Sequence, residues 1–560
     1  MPRTIALIVT DPDAGRLGHS RRVDDMLAGR SVLHHTAARA ARIERVERVV
    51  VVHPPGRDLL AAVGVEAIGK PVSGFVHDDA GPSAAIASAR KWAMSGWRGG
   101  INGATAWDEL LPAKALAAAA EQHGADAVVL VGGDWCLFDV GYADELLALH
   151  LDAPDAMRVT FTQAPPGLGP VVLGAGTLRD LADGGATIGA VLAYRPTRPA
   201  IDPIGRECNH PIPATVRDTA RRFVYDTPDG VRRLERLAKS LGASFATADA
   251  LAVTDACRAY ELDHPDHVFD ELPDQVVIEL TPRRLADGPI TAQRYVDLGR
   301  GDMDVSLAKD VLAQCGGRAV TFGGVGDPTL HPAWRELVDA AADAGVLGLH
   351  VETDLLGEPE TLWPLVENFR GDVVSVRLNA DTAATYAKVM GVDRFGEVMQ
   401  RLQGLFDRRD GHGSPWIVPR LVKTAETLPD MESFFDRWMH LVGHAVIDRP
   451  PTFGTGSYAL APDRSPVPMD PPWREPSPWQ VKRRMTVLSD GTATLCAEDV
   501  LGRAALGSVS ERPLWDLWRI AAELELPGGG LDDSPVCRRC FDWLSLHGRA
   551  ATVGAVVGPI

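Results

Sequence analysis

The sequence predicts an α/β protein built from two successive series of alternating strands and helices. In the first series, short apolar runs at residues 5–9 and 127–131 alternate with helical segments, and the pattern fades near residue 200. A second series of strand-like runs and helices begins near residue 271. Such alternation is typical of mostly parallel sheets covered by helices. The length of 560 residues exceeds that of one hydrophobic core, so we expect two to four domains.

Composition excludes several classes of protein. The net charge of −18 predicts repulsion from nucleic acid and from anionic membrane surfaces. No apolar stretch reaches about 18 residues, so no transmembrane helix is expected, and the apolar N-terminal run lacks the long core of a signal peptide. Seven cysteines, an odd number, do not indicate a disulfide framework. We therefore expect a cytoplasmic protein in a reducing compartment.

The first series contains one candidate metal site. Strands are predicted at residues 5–9, 46–53 and 127–131, and helices at 31–45 and 113–123. Gly132, Gly133 and Asp134 follow the last of these strands, at the edge where an open α/β sheet binds its ligands. A carboxylate at that position can hold a divalent cation that bridges nucleotide phosphates.

With residues 27–33 and the proline-rich turn at 159–170, this arrangement resembles the nucleotidyltransferase-like domains of the GT-A type. The resemblance implies a doubly wound sheet in which Asp134 binds Mg²⁺. The chain departs from that family in the loop at residues 10–18, where Asp11 and Asp13 replace phosphate-binding glycines and only Arg16 is basic. The alternative is that Asp134 caps a loop and that the domain is not catalytic.

The second series predicts a full or partial (β/α) barrel. Strand-like runs lie at residues 276–280, 319–322, 348–352, 373–378 and 417–422, with helices at 307–314, 333–344 and 382–389 between them. A glycine-rich loop follows the second strand, and polar residues follow the next two. The candidate cofactor-binding residues in these loops are Gly323, Gly324, Gly326, Asp327, Thr353 and Asn379.

The order of these motifs resembles the radical S-adenosylmethionine (SAM) enzymes, in which the motif at Gly323 and Gly324 holds the methionine amino group of SAM. The resemblance also implies a C-x-x-x-C-x-x-C loop for a 4Fe–4S cluster after the first strand. Here those three positions are Arg284, Gly288 and Thr291, and none supplies a thiolate. We therefore expect no reductive cleavage of SAM, although the glycine loop is still expected to bind SAM.

Three cysteines near the C-terminus form a second candidate metal site. Cys496 follows a predicted hairpin, and Cys537 and Cys540 have the spacing that lets two thiolates bind one metal or cluster edge. The region resembles a SPASM/twitch segment, which implies an auxiliary 4Fe–4S cluster with Asp499 or His547 as a possible fourth ligand. Zinc, a redox dithiol, or three buried cysteines without metal are the alternatives.

The whole chain resembles proteins that fuse these three parts, the spiro-SPASM type. The predicted domains are a GT-A-like domain at 1–205, a helical connector at 206–270, a radical-SAM-like partial barrel at 271–465 and a small α+β SPASM/twitch domain at 466–560. The first functional hypothesis is a degenerate radical SAM protein that binds a peptide, a partner protein or a small molecule. The alternatives are a metal-dependent nucleotidyltransferase-like enzyme, and an active radical SAM enzyme whose cluster ligands lie elsewhere.

Overall fold

The chain forms two compact units, each with its own sheet and core. The computed structural model describes residues 2–11, 15, 17, 23–65, 68–80, 84–94, 111–154, 157–192, 208–217, 219, 221–264, 272–367, 371–410, 414–442, 445–448, 451, 484–525 and 536. Within these ranges, unit 1 holds residues 2–90 and 111–264, and unit 2 holds residues 272–536. None of the described helices combines the length and apolar character needed to span a membrane.

Unit 1 contains a seven-stranded mixed sheet whose central strands are parallel, and this confirms the predicted α/β alternation. Its strands, with a separate β2–β3 hairpin, are β1 (Thr4–Val9), β2 (Met26–Leu27), β3 (Arg30–Ser31), β4 (Val49–His53), β5 (Val72–Val76), β6 (Ala127–Gly132), β7 (Val159–Thr162), β8 (Val171–Gly174) and β9 (Asn209–His210). The strand order is β5-β4-β1-β6-β8-β7-β9, with β8 antiparallel to both β6 and β7. The β-branched run of β4 is buried along its whole length, as a central parallel strand requires.

The helices of unit 1 are α1 (Val32–Arg42), α2 (Leu60–Val63), α3 (Ala84–Met94, in unit 1 up to Arg90), α4 (Ala113–Gln122), α5 (Val140–Asp152), α6 (Ala175–Asp183), α7 (Ala214–Arg217), α8 (Pro228–Leu241) and α9 (Ala250–Asp263). Helix α1 begins where Ser31 Oγ accepts a hydrogen bond from the His34 N–H at 3.1 Å. Helix α8 begins in the same way at Thr227, with Pro228 in its first turn, where proline is favourable.

Helices α8 and α9 pack onto the rest of unit 1 through a second buried cluster. Phe223, Leu234 and Phe245 share that cluster with Leu137 and other residues that follow β6. The buried Arg39 of α1 donates hydrogen bonds to the carbonyls of Phe138, Phe245 and Ala248 at 2.8–3.0 Å. The segment that the sequence predicts as a helical connector is thus helical, and it contributes to the core of unit 1.

Unit 2 contains a nine-stranded sheet with the order β15-β14-β13-β12-β11-β10-β16-β17-β18. Its strands are β10 (Gln275–Ile278), β11 (Ala319–Phe322), β12 (Gly348–Thr353), β13 (Val373–Arg377), β14 (Trp416–Val422), β15 (Val446–Asp448), β16 (Arg484–Val487), β17 (Thr492–Thr494) and β18 (Ala505–Ser508). Its helices are α10 (Val305–Ala313), α11 (Trp334–Asp343), α12 (Trp363–Glu367), α13 (Ala383–Met390), α14 (Phe395–Asp410), α15 (Leu428–Val442) and α16 (Leu514–Glu525). Strands β15 to β10 run parallel, and β16 also pairs parallel to β10. The first strands of the segment predicted as a C-terminal domain are therefore part of the same sheet.

One face of this sheet packs against apolar side chains, whereas the other carries a buried row of polar ones. Ile278, Phe322 and Val351 contribute to the apolar core. On the opposite face, a row of hydrogen bonds between side chains crosses five neighbouring strands. Its members are Arg484, Gln275, Thr321, His350 and Ser375, and the successive donor–acceptor distances are 2.9, 2.6, 3.2 and 2.7 Å. Burial lowers the pKa of His350 to about 3, so its imidazole is neutral.

Candidate functional site

The turn after β6 places Asp134 against the end of β1. The Gly133 N–H donates to the Val9 carbonyl at 2.9 Å, and a Cβ atom at Gly133 would lie 2.7 Å from the side chain of Thr10. A Cβ atom at Gly132 would lie 2.7 Å from Asp134 Oδ1, so both glycines are needed for this close turn. Asp134 itself is 6% exposed.

This position is the topological switch point of the unit 1 sheet. From β1 the chain builds β4 and β5 on one side and then crosses to place β6 on the other side of β1. In open α/β sheets ligands bind outside the carboxyl ends of the two strands where the order reverses. Asp134 follows one of these strands, and Thr10 and Asp11 follow the other.

A second buried carboxylate belongs to a segment whose backbone bonds to that of Asp134. The Tyr225 N–H donates to the Asp134 carbonyl at 3.0 Å, and the following residue, Asp226, is 1% exposed. Asp226 Oδ2 accepts a hydrogen bond from Arg222, whereas Asp226 Oδ1 is buried and has no hydrogen-bond partner. A buried oxygen without a partner is costly, and it indicates a missing water or cation.

Asp226 is not among the site residues predicted from the sequence. It stands between the buried run at residues 223–225 and the helix start Thr227-Pro228. Mg²⁺ is commonly bound by one or two carboxylates plus waters and phosphates, so Asp226, with one buried oxygen unpaired, is a candidate ligand. The described part of the chain contains no group of three or more His, Cys, Asp or Glu residues arranged for a metal. Asp13 and Arg16 of the predicted phosphate loop lie outside the described residues.

In unit 2 the predicted cofactor-binding residues lie together at the carboxyl ends of β11 to β13. Asp327 is 1% exposed and forms the centre of this group. It accepts hydrogen bonds from the Thr329 hydroxyl at 2.7 Å, and from the Thr353 hydroxyl and the Asp354 N–H at 2.9 Å each. Burial and the neighbouring Asp354 raise the pKa of Asp327. The side chains of Asp327 and Thr353 therefore form their hydrogen bonds within the protein.

The three glycines of the loop after β11 make close contacts with protein atoms. A Cβ atom would lie 2.7 Å from Glu352 Oε2 at Gly323, 3.3 Å from the Glu279 side chain at Gly324, and 2.0 Å from the Thr281 carbonyl at Gly326. Gly324 also has a positive φ of 93°. The sequence predicts that these glycines allow a ligand to approach the backbone; in the structure Gly323 allows the Glu352 side chain to approach it, and Gly324 and Gly326 allow residues that follow β10 to do so.

Asn379 links the ends of two strands. It has a positive φ of 58° and is 2% exposed. Its Nδ2 donates to the Arg377 carbonyl at 3.1 Å, and its Oδ1 accepts from the Val422 N–H at 2.9 Å. Asparagine tolerates this backbone conformation better than most residues do. Its amide thus holds β13 against the end of β14.

A buried network of charges lies beside these loops. Arg420 donates to Glu352 at 2.5 Å and to Asp448 at 2.7 Å, and Arg377 lies 3.7 Å from Glu352. Burial alone raises the pKa of Glu352, but Arg420 and Arg377 outweigh it and hold the pKa at about 2. Arg300 and Glu279 form a second ion pair, with 2.6 Å between Arg300 Nε and Glu279 Oε1. Their side chains are 4% and 1% exposed.

The three positions at which the resemblance predicts cluster cysteines also lie in this region. Arg284 forms two hydrogen bonds with Asp354, at 2.6 and 2.8 Å. A Cβ atom at Gly288 would lie 1.8 Å from the Val389 carbonyl, and Thr291 is 1% exposed. Neither an arginine engaged with a carboxylate nor a glycine against backbone can bind iron, so these residues do not fit the SAM-cleaving cluster.

At the predicted C-terminal site the described residues include Cys496 but not Cys537, Cys540 or His547. Cys496 is half-buried, and its carbonyl accepts hydrogen bonds from Thr494 Oγ1 at 3.1 Å and from the Asp499 N–H at 3.2 Å. Asp499, a predicted alternative ligand, accepts backbone hydrogen bonds from Arg503 and Ala504, both at 2.8 Å. Its carboxylate therefore closes the turn that follows Cys496.

Comparison with known proteins gives partial similarities. No protein-family model matches the chain. An uncharacterised protein of Treponema pallidum (strain Nichols) is 26% identical over 232 residues, which are 40% of this chain and 63% of that protein. The chain thus spans less than two thirds of the length of this relative.

Three solved structures show likeness at low TM-scores. A cytidylyltransferase from Leptospira borgpetersenii has a TM-score of 0.33 and 14% identity, covering 47% of this chain and 95% of that one. The protein anSMEcpe with bound AdoMet has a TM-score of 0.36 and 14% identity, covering 50% and 94%. SuiB of Streptococcus suis bound to precursor peptide SuiA has a TM-score of 0.36 and 11% identity, covering 65% and 88%. The function of this chain has to be argued from the side chains described above.

Proposed function

We propose that unit 1 binds a nucleotide or another phosphorylated metabolite through a divalent cation and acts as a metal-dependent transferase. The observations that support this proposal are the buried Asp134 at the switch point of the sheet and the buried Asp226 in the segment that bonds to the backbone of Asp134. Asp226 Oδ1 is buried without a hydrogen-bond partner, which a bound cation would supply. Mg²⁺ suits oxygen ligands of this kind, and it would neutralise phosphate charge beside two carboxylates.

The acidic character of the neighbouring loop is consistent with a cation-dependent ligand. Asp11 follows the end of β1, at the carboxyl edge of the sheet. A carboxylate there repels a bare phosphate but not one that carries Mg²⁺. We therefore expect nucleotide binding to require the cation, with little binding in its absence.

Thermal unfolding with Mg²⁺ and a panel of nucleoside triphosphates tests this proposal. We expect a shift in Tm with at least one nucleotide, dependent on Mg²⁺ and lost in Asp134→Ala and in Asp226→Asn, because ligand binding stabilises the folded state alone. Asp229→Asn is the matched control, since Asp229 is a buried carboxylate of the same segment that pairs with Arg232. No shift with any nucleotide, or an equal shift in Asp134→Ala, would contradict the proposal.

We propose further that unit 2 is a radical-SAM-like partial barrel that does not cleave SAM. Arg284 stands at the first position of the expected cluster cysteines, and its ion pair with Asp354 supports this hypothesis. An auxiliary 4Fe–4S cluster at Cys496, Cys537 and Cys540, and a peptide or partner protein as ligand, remain proposals that follow from the SPASM resemblance. Anaerobic reconstitution followed by iron, sulfide and zinc analysis tests them. We expect about four irons per chain, the content of one 4Fe–4S cluster, and their loss in Cys537→Ala. Near-zero iron with one zinc would mean that the site holds a structural zinc ion instead of a cluster.

A further inference from the structure

A buried ion pair stands at the first position of the expected cluster loop. Arg284 Nε and Nη2 donate to the two carboxylate oxygens of Asp354, at 2.6 and 2.8 Å, and the two side chains are 6% and 0% exposed. A pair with two parallel hydrogen bonds fixes the relative position of both groups. The loop after β10 is thereby tied to the end of β12.

The second position has no space for any side chain. A Cβ atom at Gly288 would lie 1.8 Å from the Val389 carbonyl oxygen and 2.5 Å from the Val389 carbonyl carbon. The adjacent Asp287 N–H donates to the Met390 carbonyl at 3.0 Å. Because these contacts are to backbone at the end of α13, a side chain at residue 288 requires the loop to leave the helix.

A second arginine, Arg377, donates hydrogen bonds to carbonyl groups of the glycine loop and of β12. Arg377 Nη2 donates to the Gly326 carbonyl at 2.9 Å and to the Glu352 carbonyl at 3.3 Å. Arg377 therefore ties this part of the loop to the end of β12. Arg377 also lies 3.7 Å from Glu352, so its charge is balanced within the protein.

We infer that the Arg284–Asp354 pair takes the place of the cluster in unit 2, an inference that rests on the radical-SAM-like hypothesis for this unit. Arg284 holds the loop after β10 in position, and Gly288 lets that loop lie against the backbone of α13. Replacing only Arg284, Gly288 and Thr291 by cysteine therefore does not create a cluster site. This inference concerns unit 2 and is independent of nucleotide binding by unit 1.

The stability of single variants tests the role of Arg284, and the neighbouring Arg283 provides the control. Arg283 also forms two hydrogen bonds with an aspartate, Asp302, at 3.0 and 2.8 Å, but its side chain is 53% exposed. We expect Arg284→Ala to lower the Tm of unit 2 by roughly 5–10 °C and Arg283→Ala by at most roughly 2 °C, because only the buried pair leaves an unpaired charge. Equal Tm values for the two variants would overturn the inference.

If Arg284→Ala does not fold, Arg284→Lys and the double variant Arg284→Met/Asp354→Leu answer the same question. The lysine keeps the charge but loses the two-bond geometry, so its Tm should lie below the wild type. The double variant removes both charges, so its Tm should lie above that of either single substitution. A double variant that is no more stable than Asp354→Leu alone would show that the two residues are not coupled.

Iron uptake tests the replacement itself. The triple variant Arg284→Cys/Gly288→Cys/Thr291→Cys should take up no more iron on anaerobic reconstitution than the wild type does. About four additional irons in the triple variant, the content of a second cluster, would overturn the inference.

Discussion

The carboxyl ends of the parallel strands differ between the two units in how their buried carboxylates are satisfied. In unit 1, Asp226 keeps one buried oxygen without a hydrogen-bond partner beside Asp134. In unit 2, both oxygens of Asp354 accept hydrogen bonds from Arg284, and Glu352 is held by Arg420. At the same edge of a parallel sheet, one unit thus leaves a carboxylate oxygen unpaired, whereas in the other unit arginines pair with these carboxylates.

The difference has a thermodynamic meaning. A buried carboxylate that is fully paired contributes to a stable internal network, whereas an unpaired oxygen costs free energy until something binds it. Groups that are left unsatisfied in the free protein are therefore where a ligand gains most. On this basis unit 1 is the unit in which we expect chemistry.

The strongest test of the comparison is the removal of Glu352. Glu352→Ala leaves Arg420 and Arg377 without their shared carboxylate, so we expect a loss of about 3 kcal/mol in the free energy of unfolding of unit 2, less than for a fully buried pair because Glu352 and Arg420 are 20% and 23% exposed. Glu336→Ala is the control, because Glu336 pairs with Lys309 at 2.6 Å but both side chains are about half exposed; we expect it to cost at most about 1 kcal/mol. Denaturant unfolding of both variants makes the measurement. Similar losses would mean that the network is no more than a surface feature.

A smaller effect is expected at the glycine loop. Gly326→Ala places a Cβ atom 2.0 Å from the Thr281 carbonyl, so we expect a loss of about 2–3 kcal/mol through overpacking. Gly396→Ala, in α14 with nothing within 4 Å of the added atom, should be neutral or stabilising by up to about 1 kcal/mol. If Gly326→Ala instead proves harmless, the loop has space for a ligand, and the contrast between the two units disappears.

The sequence predicts the elements of both sheets well because parallel strands are buried on both faces and leave continuous apolar runs, as in β4 and β6. It also locates Asp134 and the group around Asp327, since both follow such runs. It does not reveal Asp226, which lies 92 positions after Asp134 (226 − 134) and meets it only through tertiary folding. The sequence shows an arginine rather than a cysteine at position 284. It does not show that Asp354 is the partner of Arg284, because long-range ion pairs leave no local pattern.

Acid is expected to act on each unit through a buried histidine, His150 in unit 1 and His350 in unit 2. Burial lowers the pKa of His150 in unit 1 to about 4, so the unfolded chain binds a proton on this group at higher pH than the folded chain does. The contribution of neutral His150 is fully present above its unfolded pKa of about 6.5, and it is lost as pH falls from there toward 4. We expect a loss of about 2 kcal/mol between pH 6.5 and 5 from this group. Hydrogen exchange of the amides of β7 and β8 measures it, and His150→Gln should flatten the slope; an unchanged slope would assign the pH dependence to other groups.

The smallest expected effect concerns the helix that follows Asp226. Thr227 Oγ1 accepts a hydrogen bond from the Gly230 N–H at 3.0 Å and begins α8, so Thr227→Ala should cost about 1 kcal/mol. Because Asp226 is the preceding residue, the same substitution should also weaken Mg²⁺-dependent nucleotide binding several-fold. Thr382 begins α13 of unit 2 in the same way, and Thr382→Ala should lower stability without changing nucleotide binding. Titration calorimetry of both variants with Mg²⁺ and the nucleotide found by thermal shift measures the contrast. Equal affinities in the two variants would mean that the start of α8 does not position Asp226 for the cation.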